Sequence, residues 1–153
     1  MKIFNGMNIS ASALTAQRLR MDVISANIAN AETTRGQYID GKWQPYTRKM
    51  VVLEPNNGSQ SFKQVFNQYM DSSNEAPING VKVKKVVDDT APYKKMYQPD
   101  HPDADEEGFV LLPNVDLLKE MVDMISATRS YEANVTAMNS TKSMLLKALE
   151  IGR

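Results

Sequence analysis

The chain has 153 residues, enough for one domain of ordinary size with a hydrophobic core. Its 18 basic and 18 acidic side chains cancel, which argues against a general nucleic-acid binder, since such proteins carry excess positive charge. The lack of cysteine excludes zinc–thiolate sites, disulfides and cysteine nucleophiles, and the single histidine, His101, offers little for a catalytic triad. The composition therefore favours a structural or interaction protein over an enzyme.

The first ten residues do not form the apolar core of a secretory signal. Polar and small residues interrupt that stretch, namely Asn5, Gly6, Asn8 and Ser10. Nor does any window approach the roughly 18 apolar residues of a membrane span. We therefore expect neither a cleaved signal peptide nor a membrane-spanning helix.

Residues 7–31 are predicted to form a helix with a heptad pattern. Large apolar residues recur every seven positions at Met7, Leu14, Met21 and Ile28. The companion positions are Ser10, Gln17 and Ile24, so the apolar stripe is weak and the helix should be marginal by itself. We expect it to pair with a second helix and with neighbouring molecules, and packing within one globule is the alternative.

The end of this helix carries a polar motif. Asn27 and Asn30 lie three residues apart on one helix face, where both can donate and accept hydrogen bonds. Gly36 permits a left-handed or tight turn after the helix. The motif predicts a cap and a docking point that fix the bend between helix and insert, although ordinary helix-end chemistry would look the same.

Residues 37–112 differ in character and predict a small, mainly β insert. Strands are predicted at residues 50–53 and 81–87, with residues 93–97 as the hairpin partner of the latter and 109–112 as a short extended run. Residues 62–70 fit either a short helix or a strand. The segment thus separates the two terminal helices.

An acidic loop is the one cluster that resembles a ligand site. Its carboxylates are Asp100, Asp103, Asp105 and Glu106, which could offer oxygen ligands to calcium. The spacing departs from a calcium-binding loop because Gly108 comes too late. We expect a solvated turn, no metal, no cofactor and no small-molecule substrate.

Residues 115–151 predict a second, longer helix. Pro113 and Asn114 mark its start, with Asn114 as the N-cap and Asp116 suited to the helix dipole. At 1.5 Å per residue it would be about 50 Å long, which calls for a helix beside it. Steps of four and three define its heptad stripe: Leu117, Met121, Met124, Thr128, Tyr131, Val135, Met138, Lys142, Leu145 and Leu149, widened near the start by Leu118, Val122 and Ile125.

Both terminal segments resemble the signatures of bacterial flagellar rod and hook proteins. The N-terminal segment is residues 14–36, LTAQRLRMDVISANIANAETTRG, and the C-terminal segments are residues 120–125, EMVDMI, and 129–135, RSYEANV. The tract of residues 97–115 and the ending at residues 149–152 narrow the similarity to proximal rod subunits.

The resemblance implies a structural subunit of the flagellar basal body that helps transmit torque from motor to hook. Such a subunit would pass the flagellar type III export apparatus without a cleaved signal and assemble around a central channel with its own copies and other rod proteins. The implied fold is α+β, with terminal helices (1–36 and 113–153) pairing as an antiparallel coiled coil around a mainly β outer insert (37–112).

The resemblance and the heptad patterns together give a predicted assembly interface. Its members are Met7, Leu14, Met21, Ile24, Asn27, Ile28, Asn30, Leu117, Met121, Met124, Ile125, Tyr131, Val135, Met138, Leu145 and Leu149. Two alternatives remain open: another axial rod or hook subunit, and a soluble helical adaptor or export chaperone.

Overall fold

The computed structural model describes residues 4–39, 41–56 and 80–151. Two helices, α1 (Asn5–Ala29) and α2 (Leu117–Ile151), contact each other, as the two heptad patterns predict. The strands between them are β1 (Gln37–Ile39), β2 (Lys42–Gln44), β3 (Lys49–Pro55), β4 (Val81–Asp88), β5 (Lys94–Tyr97) and β6 (Phe109–Leu112). The prediction for residues 62–70 lies outside the described residues.

The described strands form three separate two-stranded antiparallel sheets. β1 pairs with β2, β3 with β4, and β5 with β6. The pairing of β3 with β4 is the longest and runs from Lys49 opposite Asp88 to Pro55 opposite Val81, with a shift in register between Val52 and Leu53. Helix α1 packs against this pair as well as against α2, so it lies between the second helix and the longest sheet.

The predicted hairpin between residues 81–87 and 93–97 is wrong. Both segments are extended, but β4 pairs with β3 and β5 pairs with β6. The connection from β4 to β5 is bonded to other parts of the chain instead. The Asp89 N–H donates to the Arg48 carbonyl, and the Asn114 side-chain amide donates to the Ala91 carbonyl. These bonds prevent the tight turn that a β4–β5 hairpin would need.

The structure corrects one other local prediction, for Asn114, and narrows another, for Gly36. Asn114 is not the N-cap of α2, because the Asp116 carboxylate accepts the Leu118 N–H at 3.1 Å in that role. Gly36 does not have a left-handed backbone conformation. A side chain is excluded there for another reason: an added Cβ would lie 2.6 Å from the Tyr46 backbone nitrogen. Glycine is needed at this position for close approach of two backbones.

The apolar core among the described residues is small. Its buried members are Ala16, Ile24, Val110, Val115 and Ala127. Alanines allow α1 and α2 to approach closely but bury little apolar surface, so the helices gain only modest stability from each other.

Candidate functional site

The buried centre of the molecule is polar and lies where α1, α2 and β3 meet. Asn27 of α1 is 1% exposed and Glu120 of α2 is fully buried. The Asn27 Nδ2 donates to Glu120 Oε2 at 3.0 Å and to the Lys49 carbonyl at 2.9 Å, while its Oδ1 accepts from the Lys49 N–H and the Tyr46 hydroxyl. Both donor and both acceptor positions of this amide are therefore used.

Arg48 supplies the positive charge that the buried carboxylate requires. Its Nε donates to Glu120 Oε1 at 2.6 Å, and its Nη1 donates to Asp89 Oδ2 at 3.1 Å. Burial alone would lower the pKa of Arg48, but these hydrogen bonds raise it above the ordinary value. The guanidinium therefore stays charged and joins helix α2 to the loop after β4.

Asn114 and Tyr46 complete this set of contacts. The Arg48 N–H donates to Asn114 Oδ1 at 2.8 Å, and the Asn114 amide donates to the Ala91 carbonyl at 3.0 Å. Burial, followed by the carboxylates of Asp88 and Glu120, raises the pKa of Tyr46, so its hydroxyl keeps the proton that it donates to Asn27. We call Asn27, Tyr46, Arg48, Asp89, Asn114 and Glu120 the junction network.

Asn30, the second predicted asparagine, caps α1 rather than entering the junction network. Its side-chain Nδ2 donates to the Ala26 carbonyl at 2.9 Å, and its Oδ1 accepts from the Thr33 hydroxyl. Two asparagines on one helix face thus have different roles, one closing the helix and one joining it to β3.

The face of α2 that packs inward is offset from the predicted heptad stripe. Its residues are Glu120, Met124, Ala127, Tyr131, Asn134, Met138, Thr141 and Leu145, all buried or half-buried. The predicted stripe residues Met124, Tyr131, Met138 and Leu145 belong to this inner face, and Thr128, also half-buried, donates from its hydroxyl to the Met21 sulfur of α1. At the alternate positions the small or polar Glu120, Ala127, Asn134 and Thr141 lie inside, each one residue before the predicted Met121, Thr128, Val135 and Lys142.

The other predicted interface residues divide by exposure. Buried or half-buried positions are Met7, Leu14, Met21, Ile24, Asn27, Ile28, Asn30 and Val135, whereas exposed positions are Leu117, Met121, Ile125 and Leu149. The exposed group continues into Leu118 and Val122, which are 77% and 67% exposed. We call Leu118, Met121, Val122 and Ile125 the outer patch.

The acidic loop is attached to the segment that follows α1. Asp103 accepts from the Arg35 Nε at 2.8 Å and from the Thr34 hydroxyl at 2.9 Å. These two hydrogen bonds lower the pKa of Asp103 below its ordinary value. Within the residues that the structure describes, no group of three or more potential ligands could hold a metal ion.

A groove of about 350 Å³ lies beside the junction network. Apolar side chains such as Val23 and Leu53 line it together with Arg20 and Asp123, which form an ion pair at 3.3 Å. Four of the charged side chains at its wall, Arg20, Arg48, Glu120 and Asp123, already have partners in the chain, so they are not poised to act as acid, base or nucleophile.

Family models match both ends of the chain. The model described as "Flagella basal body rod protein" matches residues 7–36, and the model described as "Flagellar basal body rod FlgEFG protein C-terminal" matches residues 106–151. The first match covers most of α1 and its cap, and the second runs through all of α2.

Full-length relatives decide the family. The chain is 56% identical to the flagellar basal-body rod protein FlgC of Bacillus subtilis, with all of both chains aligned. It is 46% identical to FlgC of Borreliella burgdorferi over 99% of this chain and 98% of that one, and 42% identical over both full lengths to FlgC of Escherichia coli O157:H7. The chain belongs to the FlgC family. Its function is therefore that of a structural rod subunit in the bacterial flagellar basal body, and it is not an enzyme.

Membership of the FlgC family also implies assembly with other rod components. No helix within the described ranges combines the length and apolar character needed to cross a bilayer.

Sequence reasoning missed the central residues of the junction network in this FlgC family member. Glu120 and Arg48 are charged and would ordinarily be placed on the surface. One signal was available: Glu120 lies a whole number of heptads from Ala127, Asn134 and Thr141, so a stripe of small and polar residues runs beside Met124 and Met138.

Proposed function

We propose that this chain is a proximal rod subunit that helps transmit torque from the motor to the hook. The observation that carries the proposal is the junction network, which ties both helices to β3 through buried hydrogen bonds and the Arg48–Glu120 ion pair. A subunit under torsion must pass force between its helices and its sheets without bending. Buried, fully paired polar groups are suited to this because they hold one geometry.

We further propose that α1 and α2 form an inner coiled-coil domain of antiparallel helices, with residues 37–112 as the outer domain. The inter-helix contacts support this arrangement, since Asn27 bonds to Glu120 whereas the earlier Met21 accepts from the later Thr128. Along α1 the contacting residue numbers rise from 21 to 27, while those of their partners in α2 fall from 128 to 120, so the two helices run in opposite directions. In the assembly, this inner domain would surround the central channel.

The predicted interface would then act in two layers. Its half-buried members, such as Met124, Tyr131 and Met138, would hold the helix pair together, and its exposed members, such as Leu117, Met121 and Leu149, would meet neighbouring subunits. Exposed apolar side chains in such number are costly in a free monomer and are expected to be covered in the assembled rod.

Export through the flagellar type III apparatus without a cleaved signal fits the same energetics. The small core of Ala16, Ile24 and Ala127 leaves the helix pair weakly stabilised before assembly. A weakly stable pair can be threaded through a narrow channel and then gain burial from its neighbours.

The test is to delete the chromosomal copy, restore it with a tagged chain, and identify the proteins of purified basal bodies by mass spectrometry. The proposal predicts the chain in the basal body in fixed proportion to other rod proteins, with motility lost on deletion and restored on complementation. Recovery of a soluble, folded chain that is absent from basal bodies would instead support the adaptor or export-chaperone alternative.

A further inference from the structure

The outer patch of α2 has no covering within the described part of the chain. Leu118, Met121, Val122 and Ile125 follow the spacing i, i+3, i+4 and i+7, so they share one helix face, opposite the inner face that meets α1. All four are at least half exposed, and Leu118 is 77% exposed. A contiguous apolar helix face of this kind marks a docking surface.

Two opposite charges follow the outer patch on the same helix face. Arg129 and Glu132 are exposed and bonded to each other at 2.8 Å. Read from the start of α2, this face presents large apolar side chains, then a positive charge, then a negative charge.

The outward face of α1 shows the complementary order when read from its C-terminal end. Ser25, Ala26 and Ala29 are exposed and small, and they are followed towards the N-terminus by exposed Asp22 and then exposed Arg18. Among the described residues neither Asp22 nor Arg18 has an ion-pair partner. The face therefore presents a shallow surface, a negative charge and a positive charge.

We propose that the outer patch of one copy docks on the outward face of α1 of a second copy, with the two helices antiparallel. Asp22 then lies opposite Arg129 and Arg18 opposite Glu132, since residue spacings of four and three correspond to about 6 and 4.5 Å along the two helices. In this register Ala26 faces Ile125 and Ala29 faces Val122, so these two large side chains meet small ones. Met121 and Leu118 then lie level with residues 30–33, just after the end of α1.

The parallel arrangement is disfavoured by the same residues. Pairing Asp22 with Arg129 in that direction would place Arg18 opposite the apolar Ile125 and Ser25 opposite Glu132. A cation without a partner would be buried against an apolar side chain, which costs free energy that no new contact returns.

The two docking surfaces differ, so the contact is head-to-tail and each copy can use one surface on each side. Contacts of this type build rings or open helical assemblies. Because α1 and α2 run in opposite directions within one molecule, antiparallel contact between copies also keeps all copies pointing the same way. This inference rests on the proposed function, since it describes how copies of the rod subunit meet.

The first test is disulfide crosslinking in assembled basal bodies. The natural chain has no cysteine, so the pair Asp22→Cys and Arg129→Cys introduces the chain's only thiols. After mild oxidation, the proposal predicts crosslinked multimers that contain this chain alone. The control pair Asp22→Cys and Lys147→Cys uses the same face of α2 but lies 18 residues farther along, about 27 Å away, and should give none.

Each outcome decides between separate claims. Basal bodies that contain the chain in normal amount without crosslinking above the control would overturn the contact while leaving the rod function intact. A crosslink to a different basal-body protein would overturn the choice of a second copy as the occupant. Absence of the unsubstituted chain from basal bodies would overturn the proposed function itself.

A charge exchange provides the second test and does not depend on cysteine chemistry. Asp22→Arg or Arg129→Asp alone places like charges together at every copy-to-copy contact, and we expect roughly tenfold less chain in basal bodies. The double variant restores the opposite pair and should recover most of that loss. A double variant no better than either single one would overturn the proposal.

Discussion

At the scale of single residues, Asn27 shows what this fold depends on. Its four hydrogen bonds join α1 to Glu120, Tyr46 and the backbone of Lys49. The sequence predicted that an asparagine near the helix end would dock the insert, and this is the contact observed. The partners could not be predicted, because Arg48 and Glu120 lie 72 residues apart in the chain.

Loss of one partner of the buried ion pair should strongly destabilise the fold. Arg48→Met keeps the side-chain volume but leaves Glu120 without its cation, which should lower the free energy of unfolding by about 3 kcal/mol. Urea unfolding followed by circular dichroism measures this. The matched control, Arg129→Met on an exposed ion pair, should cost less than about 1 kcal/mol.

The double variant Arg48→Met with Glu120→Met separates charge pairing from packing. It removes both charges, so it should recover part of the stability lost in Arg48→Met. Unfolding of Arg48→Met at the same urea concentration as the control would contradict the role given to this pair.

The junction network also predicts a pH dependence. A hydrogen bond from the Ala91 N–H, followed by that from Arg48, lowers the pKa of Asp89 below its ordinary value of 3.8. A carboxyl with a lowered pKa in the folded state stabilises the fold above its unfolded pKa, and this stability is lost as the pH falls through the folded pKa. Thermal unfolding should therefore occur at lower temperature below about pH 4, and Asp89→Asn should reduce that dependence. An equal pH dependence of thermal unfolding in the natural chain and in Asp89→Asn would contradict this role of Asp89.

Gly36 tests the close approach after α1. Gly36→Ala would place a methyl group 2.6 Å from the Tyr46 nitrogen, so either strand β2 or the Tyr46–Asn27 bond must shift. We expect a loss of about 1–3 kcal/mol. The matched control is Gly6→Ala, where an added Cβ meets no neighbouring atom. Gly41→Ala is unsuitable as a control because Gly41 has a positive φ, which would strain an alanine.

At the scale of whole elements, the periodic patterns predicted both helices well but misplaced part of the inner face of α2. The predicted stripe is defined by large apolar residues, but Met121, Ile125 and Leu149 among the predicted interface residues are exposed. A helix that packs on two sides, within the molecule and against neighbours, carries two stripes. Sequence periodicity alone does not say which stripe meets which partner.

Strand pairing was less predictable than strand position. Residues 81–87 and 93–97 were correctly placed in strands, but their partners depend on what fixes the loop between them. That loop is held by Asn114 and Arg48, which are distant in sequence. Local pattern therefore identified the strands, whereas long-range hydrogen bonds chose the pairs.

The inner face of α2 gives an element-scale prediction. Met138→Asp or Leu145→Asp would place a charge on a half-buried position, so the helix pair should fail to form and the rod should not assemble, while export continues. Motility in soft agar and the amount of exported chain measure the two effects. Ala137→Asp, on an exposed part of the same helix, should remain motile.

Motile cells with normal basal bodies after Met138→Asp would show that this face is dispensable. Loss of export together with assembly would place the defect before the rod and would also count against the prediction.

At the scale of the whole molecule, the composition and packing are those of a subunit that becomes stable only within an assembly. The core is small and polar at its centre, whereas large apolar side chains remain on the outside of α2. In a soluble monomer this distribution would be unfavourable, but in an assembly the exposed residues become interior. The family resemblance, which both termini carried, was confirmed by full-length relatives.

The placement of this chain in the rod is tested most directly by electron cryomicroscopy of purified basal bodies at a resolution that separates side chains. We expect this chain in the proximal rod, with α1 and α2 paired around the channel, the strands outside, and the junction network intact between them. Density that places the strands against the channel, or a rod without this chain, would contradict it.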